Sequence, residues 1–251
     1  MKYSESIYKY MQEIKGKIEQ IEQQEKGDKI KLEVLTRRLK TSKERYIKML
    51  KIEEEAKIIT NTLKSNNRTT ITRKILQEQG ILVSEGTTRL VYEYNEKIYK
   101  VAKSTKDTIK YLLNNPMYWG EPYENIIEIA KNYITETVPS NIKEFWISQN
   151  NRYNFLNPVT KIKKNFRIIE QEKINCYGLV KLVEKIDEWG TEESDIAELM
   201  QNGALNRYMD FTLEQLFSFI EDNDLDELEI MLVKNWGINN DGYLRLVDFG
   251  R

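Results

Sequence analysis

The sequence predicts an α+β protein in which a helical arm precedes a mixed body of strands and helices, because its pattern changes near residue 65. From residue 5 to about 64 there is no proline, and apolar residues recur at helical spacing. From residue 80 onward, short β-rich runs alternate with turn signals, and a second hairpin pattern appears in "NWGINNDGYLRLVDFGR". A chain of 251 residues can bury one large core, or a medium one beside an appendage.

In the arm, Ile7, Met11, Ile14, Ile18 and Ile21 advance in steps of four and three, the a/d spacing of a coiled coil. The same count crosses Glu25 and Asp28, then lands on Leu32, Leu35, Leu39, Ser42, Tyr46 and Met49. Two arrangements satisfy it: one long helix with a polar break, or an antiparallel helical hairpin turning near Lys26-Gly27-Asp28. Its seam either packs within the protein or serves self-association or docking of a protein partner.

"KSNNRTT" is a polar connector, and Gly80 is placed to end a short helix over residues 71–79. "ILVSEGTTRLVYEYNEKIYKVAKS" predicts three strands, joined by a loop at Gly86 and a hairpin at Asn95-Glu96. Residues 106–135 read as helix divided at Pro116 and Pro122, and "FRIIEQEKINCYGLVKLVEKI" as two strands separated by a turn. Short helices follow at 196–200 and 212–220. The expected organisation is an arm over 1–64, a sheet-bearing domain over 65–185 and a small domain over 186–251.

Composition narrows the chemistry. With 39 basic and 40 acidic residues, the net charge of -1 gives no field that draws the whole protein to nucleic acid or membrane. The basic cluster in "TKIKKNFR" reads as a solvated edge. Histidine is absent, which removes the usual general base of hydrolases and all histidine metal sites. Cys176 is the single cysteine, so neither an intramolecular disulfide nor a multi-cysteine zinc site can form. No window approaches the ~20 apolar residues that span a bilayer. The abundance of Lys, Ile, Asn, Glu and Tyr is that of an AT-rich gene, as in low-GC bacteria and their phages.

Two stretches carry chemistry. The turn around Gly86 can lay backbone N–H groups over phosphates, because no Cβ stands in the way. On the following strand Lys100 shares a face with Ile98 and Ala102, and an ammonium among apolar neighbours needs an anionic partner. Lys103 reads as a solvated strand end. Near the C-terminus, Asn235 and Asp248 stand thirteen residues apart on the arms of a hairpin. They read either as exposed polar residues or as two hard oxygen donors suited to a magnesium-bound nucleotide.

In their order, "SEGTTRLV", "IYKVA", "YGLVKLVEKID", "NWGI" and "VDFG" resemble the motifs of the protein-kinase-like superfamily, in particular small phage-encoded kinase-like proteins. The resemblance covers roughly residues 80–251. It implies an antiparallel N-lobe sheet and a minimal C-lobe, with ATP and Mg²⁺ between them. It makes Gly86 the remnant of the glycine-rich loop, with Ser84 and Arg89 where outer glycines would sit, and Lys100 the phosphate-contacting lysine. Glu184 and its neighbours become the adenine-facing hinge, and Asn235 and Asp248 the metal ligands. Of Glu121, Glu124 and Glu128, the last lies in the better helical run and is the expected partner of Lys100.

The pattern fails where a kinase keeps its catalytic aspartate, five residues before the metal asparagine: Ile230 stands there. Asp226 and Glu229 are nearby carboxylates at the wrong spacing. The sequence also stops at Arg251, where the resemblance implies an activation segment and substrate-holding helices. The expected function is therefore a pseudokinase or regulatory module that binds ATP. The alternatives are a scaffold acting as a virion component or host-enzyme inhibitor, and an active minimal phosphotransferase. Expected locations are a host cytoplasm or a virion.

Overall fold

A computed structural model of the chain describes residues 3–22, 29–150, 153–186, 191 and 194–249. It divides into two compact units, Met1–Thr62 and Leu63–Arg251, two residues from the boundary expected at 64. The division expected at residue 185 falls at the end of a helix. No helix among the described residues is long and apolar enough to cross a membrane.

The first unit is a helical hairpin of α1 (Tyr3–Glu22) and α2 (Lys29–Thr62). The helices run antiparallel. Near one end the Ser4 backbone N–H and hydroxyl donate to the two carboxylate oxygens of Glu53, at 2.9 and 3.0 Å. Further along, the Tyr8 and Tyr46 rings lie 5.7 Å apart, and Ile14 and Ile21 pack on Leu35 with Ile18, Leu32 and Leu39 around them. Of the two predicted arrangements the hairpin is the one formed, and these seam residues face one another within it. The turn expected at Lys26-Gly27-Asp28 lies outside the described residues.

The second unit opens with α3 (Arg73–Gln79), capped by Thr72, whose side chain accepts from Ile75 N–H. Its sheet is built from β1 (Ile81–Glu85), β2 (Arg89–Tyr94), β3 (Lys97–Ala102), β4 (Val159–Ile162) and β5 (Ile168–Glu172). The order is β1-β2-β3-β5-β4, antiparallel throughout. Asn95 and Glu96 join β2 to β3 with φ of 49° and 58°. Two left-handed residues are what a two-residue turn needs to match the strand twist.

Between β3 and β4 the chain forms α4 (Thr105–Asn114) and α5 (Tyr123–Asn150). The helix expected to fade near residue 135 continues through Pro139, although proline removes one backbone hydrogen bond. Val138, Ile142 and Phe145 are buried, and this apolar face outweighs the lost bond. A second departure follows β5. The stretch expected to be a strand is α6 (Cys176–Ile186), whose Leu179 and Val183, one helical turn apart, are fully buried. Asn175 starts it by accepting from Gly178 N–H at 2.7 Å.

The strand period of two sorts side chains by face. Leu90, Tyr92, Tyr99, Val101 and Ile168 pack with Leu76 on one face. The pairs Arg89 with Ala102, Val91 with Lys100, Lys100 with Ile169 and Ile98 with Gln171 occupy the other. That second face carries the polar cluster described below.

α4 begins with a capping box. Ser104 Oγ accepts from Asp107 N–H, and the Asp107 carboxylate accepts from Ser104 N–H and from both Nη groups of Arg73. Burial alone would raise the Asp107 carboxyl, but the hydrogen bonds from Arg73 and Ser104 outweigh it and hold the group well below the usual carboxylate range. A depressed folded value contributes stability that is fully present above the unfolded pKa and lost as pH falls through the folded one. Asp107→Asn is thus expected to cost about 1–2 kcal/mol at neutral pH, with the deficit shrinking below roughly pH 3.9. Urea midpoints of both proteins across that range check it; a deficit that does not shrink in acid contradicts the assignment.

The remainder forms α7 (Ile196–Gln201), α8 (Leu213–Asp222), α9 (Glu227–Met231), and a two-stranded ribbon of β6 (Trp236–Ile238) and β7 (Leu244–Leu246). Gly242, at φ 85°, lets the ribbon turn while its N–H donates to Asn239 O. Phe155, Phe211, Phe219 and Trp236 form the aromatic core beneath it, with Phe211 stacked on Trp236 at 5.7 Å.

Candidate functional site

Strand β3 is paired on both sides, so its side chains point to fixed faces, and Lys100 is driven inward with 4% of its surface exposed. Its ammonium donates to Glu144 Oε1 and to Val247 O. Glu144 lies on α5 and is fully buried. Arg89, the first residue of β2, donates through Nη1 to Glu144 Oε2 and through Nη2 to Asp248 Oδ1. Gln171, on β5, donates to Glu144 Oε1 at 3.0 Å and to Asn157 O at 3.0 Å. Three strands and one helix thus converge on a single carboxylate.

Asp248 is placed by the ribbon. Asn157 N–H donates to Leu246 O, Leu246 N–H to Phe155 O, and Val247 N–H to Asn235 O, at 2.9, 2.7 and 2.8 Å. These bonds fix the residue after Val247 beside Arg89 and put Lys100 Nζ 3.9 Å from Asp248 Oδ1. Asp248 is the most open member of the cluster, with 37% of its side chain exposed against 5% for Arg89 and Lys100. Burial opposes the charge of Arg89, but the carboxylates of Asp248 and Glu144 more than offset it and hold the guanidinium above its ordinary value. Two cations face two carboxylates, so the cluster is balanced.

No family model matches the chain, and no curated protein matches it in sequence. What the cluster can do is therefore argued from its own geometry.

Of the residues expected in the site, Lys100 and Asp248 are brought together. Asn235 adjoins them through its carbonyl, while its side-chain amide donates to Glu229 O. Gly86 sits in the three-residue turn between β1 and β2, its N–H donating to Arg89 O at 3.0 Å. A Cβ there would meet nothing nearer than that carbonyl, at 3.9 Å, so packing does not demand glycine at this position. Gly250 lies outside the described residues.

Two expectations are corrected. Glu128 is exposed on α5 and is not the partner of Lys100; that partner is Glu144, sixteen residues further along the same helix, or roughly 24 Å of rise. Glu184 is not in an extended hinge but in α6, exposed and paired with Lys181 at 2.8 Å. The extended segment after β5 is residues 173–175, whose Asn175 exchanges backbone hydrogen bonds with Ile238.

Asp226 is not aimed as a base would be. Asp226 Oδ1 caps α9, accepting from Leu228 and Glu229 N–H at 3.1 and 3.4 Å. Glu229 is half-buried on that helix, and Ile230 is 2% exposed. Lys103, expected at a solvated strand end, is fully buried, 2.8 Å from Glu85 Oε1 and 3.8 Å above the Tyr111 ring. Burial lowers its pKa and Glu85 restores part of it.

Sequence patterns had pointed past Arg89, Glu144 and Gln171. The signal for Glu144 was present: a carboxylate between Ile142 and Phe145, on a stretch whose helical spacing runs on from Val138.

Proposed function

We propose that residues 63–251 form a kinase-like nucleotide-binding module that binds its ligand without transferring phosphate, as a pseudokinase or regulatory unit. The observation that carries this is the buried Lys100–Glu144 pair, joining β3 to a helix inserted between β3 and β4, with Asp248 placed beside it by the ribbon. A lysine fixed by a glutamate next to an aspartate is the arrangement that kinases use to hold nucleotide phosphates. Supporting the non-catalytic part, Ile230 is buried where the resemblance asks for a base, and Asp226 is committed to a helix cap. The strand order β1-β2-β3-β5-β4 agrees with the N-lobe sheet that the resemblance implies.

Equilibrium dialysis of ATP against the full chain in magnesium buffer tests the binding. Saturable binding is expected for the native protein, and at least about tenfold weaker binding for Lys100→Met, with folding verified by circular dichroism. Radiolabel released from γ-labelled ATP should be equal for native protein and Asp248→Ala. Native release clearly above that background would make the protein an enzyme and sink the non-catalytic reading.

A scaffolding role is favoured by one feature of the arm: Ile47, Leu50 and Ile58 recur at helical spacing on α2 and are 67, 43 and 40% exposed. Sedimentation velocity of native protein and an Ile47→Glu/Leu50→Glu variant distinguishes the cases, since self-association through this face predicts a larger native species only.

A further inference from the structure

Magnesium, which the kinase resemblance implies, does not fit the residues present. Asp248 Oδ1 is held by the guanidinium of Arg89, with the Lys100 ammonium 3.9 Å away. A magnesium ion must come within about 2.0–2.1 Å of a carboxylate oxygen, and here it would enter beside two cations. The second implied ligand, Asn235, donates its amide N–H to Glu229 O, so only its neutral Oδ1 is left to offset the two cations for a metal ion.

Arg89 is not a side chain that readily vacates the place. It is delivered from a strand whose backbone is paired with Ala102, and its carbonyl accepts from Gly86 N–H. Its other arm holds Glu144, which has no exposed surface. Turning the guanidinium out to admit a metal would leave that carboxylate with one cation instead of two.

The same two cations can do what the metal does in a kinase. A phosphate approaching the open side of the cluster meets Asp248, and an uncompensated carboxylate there would repel it. Arg89 neutralises that charge. A guanidinium has five N–H donors and an ammonium three, and the contacts within the cluster occupy two of each. Donors therefore remain for phosphate oxygens, next to the partly exposed carboxylate of Asp248 and the glycine turn that precedes Arg89.

We infer that this cluster takes the phosphate groups of a nucleotide without a divalent cation, with Arg89 and Lys100 in the electrostatic place of the metal. This rests on the nucleotide binding proposed above, and the test keeps the two separable. Calorimetric titration of ATP into the full-length protein, once in EDTA and once in magnesium, should give dissociation constants within about threefold of one another. Binding at least about tenfold weaker in EDTA overturns the inference and leaves the nucleotide-binding module standing. Absence of binding in both buffers overturns both.

Arg89→Gln supplies the second arm. It should bind ATP at least about tenfold more weakly than native protein in EDTA and recover part of the loss in magnesium, because the guanidinium no longer opposes a cation at Asp248. Unchanged affinity in EDTA would contradict a role for Arg89. Should that variant not fold, Mn²⁺ added to the native protein decides by its electron paramagnetic resonance. An unperturbed free-ion spectrum at millimolar metal is expected, and a tightly bound ion at one per chain refutes the inference.

Discussion

Glu144→Gln is expected to lower stability by about 3–5 kcal/mol, a large share of the total for a domain of this size. The carboxylate is fully buried and accepts from Arg89, Lys100 and Gln171. The amide keeps the shape but removes the charge, so Arg89 and Lys100 face only Asp248 and are left partly uncompensated in a desolvated site. Urea denaturation measures the loss. Glu128→Gln, on the exposed face of the same helix, should stay within about 0.5 kcal/mol of native and serves as the control. Because Lys100 and Glu144 touch, adding Lys100→Met to Glu144→Gln should cost less than the sum of the two changes, by about 1–3 kcal/mol. Strictly additive losses would mean that the pair is not the source of the effect.

That pair also marks the limit of what local pattern discloses. The period of two in "KIYKVA" puts Lys100 on its face, and the flanking Tyr99 and Val101 on the opposite one, before any contact is known. Its partner is 44 residues away, beyond a loop, two prolines and a third proline inside the helix itself. No spacing rule connects such positions; only the sheet face and the helix it meets do. Arg89 escaped for a related reason. At the head of an alternating strand an arginine reads as a polar edge, and only the closing of the β6–β7 ribbon brings Asp248 to it. In α6, Tyr177, Val180 and Val183 are β-favouring types, yet the turn spacing of Leu179 and Val183 decided the helix. In the arm, by contrast, the repeating step of three and four left only the choice between one helix and two. The polar break at residues 23–28 left that choice open, and the packing of Ile14 and Ile21 on Leu35 resolves it.

Trp236→Ala should be nearly as damaging, at about 3–5 kcal/mol. The indole is fully buried, stacks on Phe211, lies 6.2 Å from Phe155, and donates through Nε1 to Ile230 O at 2.7 Å. Alanine removes the ring volume and strands that carbonyl. Trp236→Phe separates the two contributions, since it fills most of the volume and loses the hydrogen bond, at an expected cost of about 1–3 kcal/mol. The link to the site is short: the residue before Trp236 is Asn235, whose carbonyl accepts from Val247 and so sets where Asp248 begins. In the folded phenylalanine protein ATP affinity should therefore fall, although Trp236 does not belong to the charged cluster. Equal ATP affinity in native and Trp236→Phe proteins, alongside the stability loss, would show that the ribbon holds Asp248 in place without the indole.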